Sequence, residues 1–571
     1  MPRLSLISVL SLAAASLAAA DEHPRFSFSK RQLPADATGV KKLETPNGVT
    51  IRYKEPGKEG VCETTPGVNS YSGYVDLSPE SHTFFYFFES RHDPANAPIT
   101  LWLNGGPGSD SLIGLFEELG PCAVSENLTT YINPYSWNEV SNLLFISQPL
   151  GVGMKARAPV SVDVSHLVIG FSYADTEEGS LNPITGIVED GSFAGVQGRY
   201  PTINATLTDT TDLAANAAWE VVQGFLGGLP QLDSTVKSKD FSLWTESYGG
   251  HYGPAFFNHF YKQNQKIRNG TVEGIELNFN SLGIINGIID EAIQASHYPE
   301  FAVNNTYGIK AVNETVYNYM KFANEMGNGC QDQIALCKAT NRSSFADYAL
   351  CSEATNMCRD NVEGPYYSYG NRGVYDIRHP YDDPTPEDLF APFLQQDWVM
   401  DALGVKINYT MSNNEVYYAF QQTGDFVWPN FIEDLEEILT YPVRVTLIYG
   451  DADYICNWFG GQAVSLAVKY PQSKQFQAAG YTPLLVDGVE YGETREYGNF
   501  SFSRVYEAGH EVPYYQPAAS LQLFNRTLFG WDIAEGNVKI WPGYSTNGTA
   551  WPTHTESFVP LPTPTPHSGL F

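Results

Sequence analysis

Positive charge is scarce in this chain. Its 571 residues carry 33 Lys and Arg against 64 Asp and Glu, a formal net charge of −31. So acidic a protein offers no electrostatic footprint for nucleic acid or for an anionic membrane, and neither is expected as a partner. The balance suits a chain that stays soluble in an acidic extracellular or vacuolar space. Cysteine is sparse, with 7 residues and neither a C-x-x-C nor an H-E-x-x-H pattern. No metal site and no cofactor is therefore expected. The C-terminal end lacks a hydrophobic tail, which argues against a lipid or membrane anchor. What is present is core-forming material, 43% hydrophobic and 13% aromatic, which excludes global disorder.

Arg3 precedes an apolar stretch, Leu4 to Ala20, that closes on Ala18-Ala19-Ala20 before Asp21. A charged start, a short apolar core and small residues at its exit assign residues 1–20 to a signal peptide. Residues 21–44 form a leader. Within it, Lys30-Arg31 is either a processing site that releases a chain starting at Gln32 or a pair of exposed basic residues. Export is supported by N-x-S/T triplets at Asn127, Asn204, Asn269, Asn304, Asn313, Asn341, Asn408, Asn499, Asn525 and Asn547, several of which are expected to carry N-glycans at the surface. A secreted protein is expected, with the vacuole as the alternative.

In an oxidising compartment an odd cysteine count leaves one thiol unpaired within the chain. Cys330, Cys337, Cys351 and Cys358 are spaced 7, 14 and 7 residues apart. That symmetry suits nested bridges, Cys330–Cys358 and Cys337–Cys351, while the other two pairings stay open. Cys62–Cys122 is then the remaining pair and Cys456 the free thiol.

Aromatic alternation from Gly73 to Glu89 reads as a β-hairpin. Ile99–Leu103, Leu143–Ile146, Ser281–Ile289 and Val443–Tyr449 read as buried strands, and Thr211 to Leu226 as a helix before the strand Phe241–Trp244. Strands alternating with helices imply a mainly parallel sheet, with ligands at the carboxyl ends of its strands. Residues 291–430, rich in Tyr and Asn and holding the cysteine cluster, read as an inserted, largely helical cap. It divides the core into residues 45–290 and 431–532. Residues 533–571 form a Pro/Thr/Ser-rich tail, read as a stalk or overhang.

Ser247 lies in Trp244-Thr245-Glu246-Ser247-Tyr248-Gly249-Gly250, between an apolar run and helix-compatible sequence. That is the setting of a nucleophile elbow, although Thr245 stands where G-x-S-x-G has its first glycine. Serine hydrolysis needs a base and a carboxylate to orient it. His510, in Ala508-Gly509-His510-Glu511-Val512-Pro513, supplies the base, and the segment Gly450-Asp451-Ala452-Asp453 supplies the acid. The order Ser247, Asp453, His510 is that of the α/β-hydrolases. His251, one helical turn past the serine, reads as part of the elbow's frame.

These residues resemble the serine carboxypeptidase family, of the secreted or vacuolar fungal type. Its W-L-N-G-G-P-G stands at Trp102–Gly108 and its L-F-x-E-L-G-P at Leu115–Pro121. E-S-Y-x-G-x-Y falls at Glu246–Tyr252, G-D-x-D-x-I-C-N-W at Gly450–Trp458 and G-H-x-V-P at Gly509–Pro513. The resemblance implies an α/β-hydrolase fold with a cap, and release of C-terminal residues from peptides and proteins through an acyl-enzyme. It assigns Ser247 as nucleophile, His510 as base and Asp453, not Asp451, as acid. It places the oxyanion hole at the N–H groups of Gly106 and Tyr248. It also places the substrate's terminal carboxylate against Asn104, Gly105 and Glu246, with Glu118 hydrogen-bonded to Glu246. One carboxylate binds another only across a proton, so peptide binding is expected to favour acid pH. The same triad in an esterase or acyltransferase is the first alternative, and a glycosylated binding protein with a dead site the second.

Three departures stand out. Gly108-Ser109-Asp110-Ser111 replaces the family's G-C-S-S, so a disulfide from that loop to the cap cannot form. Ile146-Ser147-Gln148-Pro149 replaces I-D-Q-P, which puts a local hydrogen bond in doubt. Finally, Met154–Gly170 interrupts Q-P-x-G-x-G-F-S-Y between Gly153 and Phe171. Its ends can be read as GT and AG splice signals. The span is expected to be a translated intron, with a genuine surface loop as the rival.

Overall fold

A computed structural model describes residues 37–78, 81–149, 169–174, 209–381, 383 and 386–556. The signal peptide, Lys30-Arg31, Asn204, the body of Met154–Gly170 and the end of the tail lie outside the described residues.

The strands are β1 (Lys41–Glu44), β2 (Thr50–Lys54), β3 (Ser70–Ser78), β4 (Ser81–Phe88), β5 (Ile99–Leu103), β6 (Cys122–Val124), β7 (Thr130–Ile132), β8 (Asn142–Ile146), β9 (Tyr173–Ala174), β10 (Asp240–Glu246), β11 (Asn278–Ile285), β12 (Arg444–Gly450), β13 (Thr482–Val486), β14 (Val489–Tyr497) and β15 (Phe500–Val505). All but β6 and β7 join one sheet in the order β1-β2-β3-β4-β8-β5-β10-β11-β12-β15-β14-β13, with β9 beside β4. From β8 to β15 neighbours run parallel, and both flanks are antiparallel meanders. Parallel strands are covered on both faces and therefore read as unbroken apolar runs. β5 (ITLWL), β8 (NLLFI) and β12 (RVTLIYG) are buried at every position.

Helix α1 (Thr211–Leu232) precedes β10, and α2 (Gly249–Arg268) leaves it. α1 runs past the expected end at Leu226, and Gly228 lets it pack closely on β2. A Cβ on Gly228 would come 2.4 Å from Ile51 Cδ1. The strand expected over Ser281–Ile289 instead ends at Ile285, where Asn286 turns to φ +42 and breaks the ladder.

Between β11 and β12 every described regular element is helical, the longest being Phe345–Cys358, Glu314–Glu325 and Asn414–Thr423. The fold is thus an α/β-hydrolase sheet with a helical insertion. Cys330–Cys358 and Cys337–Cys351 are bonded within the insertion and Cys62–Cys122 in the core, leaving Cys456 as a buried free thiol. Two expectations need correction. Residues 533–556 do not overhang. They strap the sheet edge through Tyr481 N to Thr549 O (2.7 Å), Arg495 to Ala550 O (2.6 Å) and Arg504 to His554 O (2.9 Å). Asn408 is not a surface sequon, because it is 1% exposed and its Nδ2 donates to Gln395 Oε1. Asn127, Asn269, Asn304, Asn313, Asn341 and Asn547 are exposed, and Asn499 and Asn525 are half-buried.

Candidate active site

Ser247 follows the last residue of β10 at φ +63, a conformation that costs a non-glycine residue about 1–2 kcal/mol. Three backbone bonds hold it there. Its N–H donates to Ile285 O (3.1 Å), and its carbonyl accepts from Gly250 N (2.9 Å) and Ile288 N (3.0 Å). The turn needs Gly250, where a Cβ would lie 2.2 Å from Ile288 O. Thr245 fits in the place of the missing glycine because its hydroxyl donates to Gly249 O at 2.7 Å.

The loops after β12 and β15 bring the other two residues in. His510 Nδ1 lies 2.8 Å from Asp453 Oδ2, and both are buried. Asp453 Oδ2 also accepts from Asn286 Nδ2 at 2.7 Å. Asp451 faces elsewhere. It accepts from Tyr307 OH (2.6 Å) and lies 3.5 Å from Arg504. Cys456 sits inside the cluster, its Sγ within 4.8 Å of the Asp453 and His510 ligand atoms. Burial pushes its thiol well above the ordinary range.

The loop after β5 lies against this elbow because Gly105 has no side chain. A Cβ there would come 2.3 Å from Tyr248 N. Gly106 (φ +104) and Tyr248 thereby present two N–H groups that donate to no other backbone group among the described residues. Beside them Asn104 Nδ2 donates to Glu118 Oε1 (3.3 Å) and Glu246 Oε1 (3.2 Å), and its Oδ1 is held by Trp102 Nε1 and Gly114 N. Glu118 ends a π-helical turn, Gly114–Glu118. Glu118 and Glu246 lie in hydrogen-bond contact, and the Oε2 of each is buried with no donor.

Burial, then the charge of Glu118, pushes Glu246 well above the ordinary carboxylate range. Glu118 is raised by burial against its bonds to Glu246 and Asn104. Burial also pushes Glu511 up to about 8, although His510 opposes it. For His510 burial acts downward, but the charges of Asp453, Glu511 and Glu118 outweigh it and hold the imidazole at about 9. At acid pH the glutamates are protonated and their share of that rise disappears. Glu246, Glu118 and Glu511 therefore titrate as one coupled system with His510.

Sequence reading missed Glu511, although it adjoins His510, and Asn286, whose Asn-Gly pair at the end of a parallel strand was the available signal. It also missed how the cap is tied without a disulfide. Ser109 bridges Ser412, Asp110 N donates to Met411 O (2.8 Å) and Asn413 N to Gly108 O (2.8 Å). The two substituted positions, Asp110 and Ser147, meet at Gly170, where a Cβ would lie 2.1 Å from Ser147 Oγ and 2.7 Å from Asp110 Oδ1.

A mainly parallel sheet with a strained serine, an acid and a histidine on the loops after β10, β12 and β15 defines an α/β-hydrolase. The serine carboxypeptidase pattern matches residues 56–530, and the chain belongs to that family of serine-type carboxypeptidase hydrolases. It is 40% identical to carboxypeptidase S1 homolog A of Arthroderma otae, over 94% of this chain and 85% of that one. It is 37% identical to carboxypeptidase S1 of Penicillium janthinellum, over 82% and 97%. In structure it resembles the crystal structure of Kex1Δp, a prohormone-processing carboxypeptidase from Saccharomyces cerevisiae, with a TM-score of 0.62 at 22% identity over 83% of this chain and 95% of that one.

Proposed function

We propose that the chain releases single C-terminal residues from peptides at acid pH through a Ser247–His510–Asp453 triad. His510 Nε2 takes the Ser247 proton as Oγ attacks the scissile carbonyl, and Asp453 holds the imidazole by its Nδ1. The oxyanion meets the N–H groups of Gly106 and Tyr248, each contributing about 3–4 kcal/mol. His510 then protonates the departing amine, and water returns the acyl group by the reverse sequence. Asn104, Gly105 and the protonated Glu246–Glu118 pair hold the substrate's terminal carboxylate. The signal-peptide pattern and the exposed sequons support secretion, with the vacuole as the alternative.

One observation carries this reading beyond general ester or acyl chemistry: two buried glutamates share an unmet proton position beside the nucleophile. A substrate without a free carboxylate offers that pair no partner. A blocked dipeptide and its C-terminal amide test it. Hydrolysis of the free acid at pH 5, with kcat/KM at least a hundredfold lower for the amide, is expected. Equal rates would place the enzyme among esterases or acyltransferases. A Ser247 that no fluorophosphonate labels would point to the non-catalytic alternative.

A further inference from the structure

One buried carboxylate outside the triad and the carboxylate pocket reaches the elbow from the cap. Asp425, in the short turn Asp425–Val427, is fully buried and accepts from three residues. Tyr248 OH (2.7 Å), Thr211 Oγ1 (2.6 Å) and Thr211 N (3.2 Å) donate to Oδ2, and the Arg342 guanidinium (3.0 Å) donates to Oδ1. Thr211 is the first residue of α1, so the carboxylate sits where that helix's free amides and dipole favour negative charge. Arg342 lies in turn over the Trp428 ring, 4.8 Å from its centroid.

The next residue extends the grip. Phe426 O lies 3.3 Å from His251 Nε2, and its ring packs against Tyr248 at 4.8 Å. His251 stacks on Tyr248 at 4.3 Å, with Nδ1 on Ile288 O. Tyr248 is thus clamped at its hydroxyl and along its ring, chiefly by residues of the insertion. Its backbone follows the strained Ser247, and strain of this kind persists only where the surroundings over-determine it.

We propose that Asp425 is a positioning residue which, through the Tyr248 hydroxyl, fixes the turn that presents the Tyr248 N–H to the oxyanion. Docking of the cap on α1 thereby sets transition-state stabilisation. This rests on the reading of Tyr248 as an oxyanion donor. Such a donor acts only where its hydrogen aims at the developing charge, and a small misplacement costs rate without costing ground-state binding.

The test is Tyr248→Phe, which removes only the hydroxyl and leaves Asp425 its Thr211 and Arg342 partners. It is compared with Asp425→Asn and the double variant, per active site titrated with a fluorophosphonate, and with Ser247→Ala per mole of folded protein. Tyr248→Phe is expected to lower kcat about tenfold with KM within twofold, and to slow phosphonylation in parallel. The double variant is expected to be no slower than Asp425→Asn alone, because both cut one path. A purely structural role would lower Tm yet leave kcat per titrated site unchanged, and that result overturns the proposal. So does a rise in KM at constant kcat. If Ser247→Ala retains activity the site assignment itself fails. If it is inert while Tyr248→Phe matches wild type, only the positioning role falls.

Discussion

Glu246→Gln isolates the proton that the proposed carboxylate site shares between two carboxyls. Glu118 and Glu246 are in hydrogen-bond contact and share the Asn104 amide, with one buried oxygen on each that meets no donor. In the wild type the pair offers a hydrogen-bond donor to a substrate carboxylate only while protonated. Above the pair's apparent pKa a substrate carboxylate meets a like charge. Two unit charges about 4 Å apart repel by roughly 4 kcal/mol at an effective dielectric of about 20. That sets a ceiling of nearly three decades on the loss of binding. KM should therefore climb by up to about tenfold per pH unit before levelling. Glutamine carries an NH2 donor at every pH, and its amide can donate to Glu118. The variant's KM is expected to change less than about threefold from pH 5 to pH 7.5, while kcat keeps the wild-type dependence set by His510. Initial rates on a blocked dipeptide across that range measure both parameters. A variant KM that rises as steeply as the wild type's would refute the shared proton.

Four further outcomes follow from the same geometry. Burial pushes Glu291 up to about 8 and Asp110 to about 7. Folded carboxyls with raised values keep protons that the unfolded chain releases. Their stability is full below about pH 4 and drains as pH rises toward about 8, by up to about 1.4 kcal/mol per pH unit for each group. Tm should accordingly be higher at pH 4.5 than at 7.5, and the opposite ranking would contradict this. Cys456→Ser should resist an organomercurial that inactivates wild type, since Sγ lies within 4.8 Å of His510 and Asp453; equal sensitivity would place the reactive group elsewhere. Arg504→Ala should destabilise by about 3–5 kcal/mol in denaturant unfolding, because it removes the guanidinium 3.5 Å from buried Asp451 and frees the strap at His554. A loss below 1 kcal/mol would show that the strap holds without it. Tryptic peptides of the protein purified from its natural source should join Gly153 to Phe171, and a peptide containing residues of Met154–Gly170 would instead establish a genuine loop.

The parallel strands were legible because burial on both faces leaves an apolar run, and β5 matches the expected Ile99–Leu103 at both ends. Where a strand stops was less legible. In Ile284-Ile285-Asn286-Gly287-Ile288-Ile289 the Asn-Gly pair is the local turn signal, and the isoleucines on both sides make the segment read as one apolar strand. The triad motifs could be read because each needs a specific residue at a fixed offset. Asn286 and Asp425 are bonded to partners 167 and 177 residues away, and Glu511 couples through a shared charge field, and spacing does not encode that. The interrupted Gly-rich turn shows the same limit. Gly170 sits at φ +59 against Ser147 and Asp110, and excision of Met154–Gly170 puts another glycine, Gly153, before Phe171. The fold's demand at that position is met by either sequence.

Release of free amino acid from a blocked dipeptide between pH 4 and 7, by wild type and by Ser247→Ala, tests the central claim most directly. Release confined to wild type and strongest at the acid end is the predicted result. Release that survives in Ser247→Ala, or none from a correctly folded wild type that a fluorophosphonate labels, would contradict it.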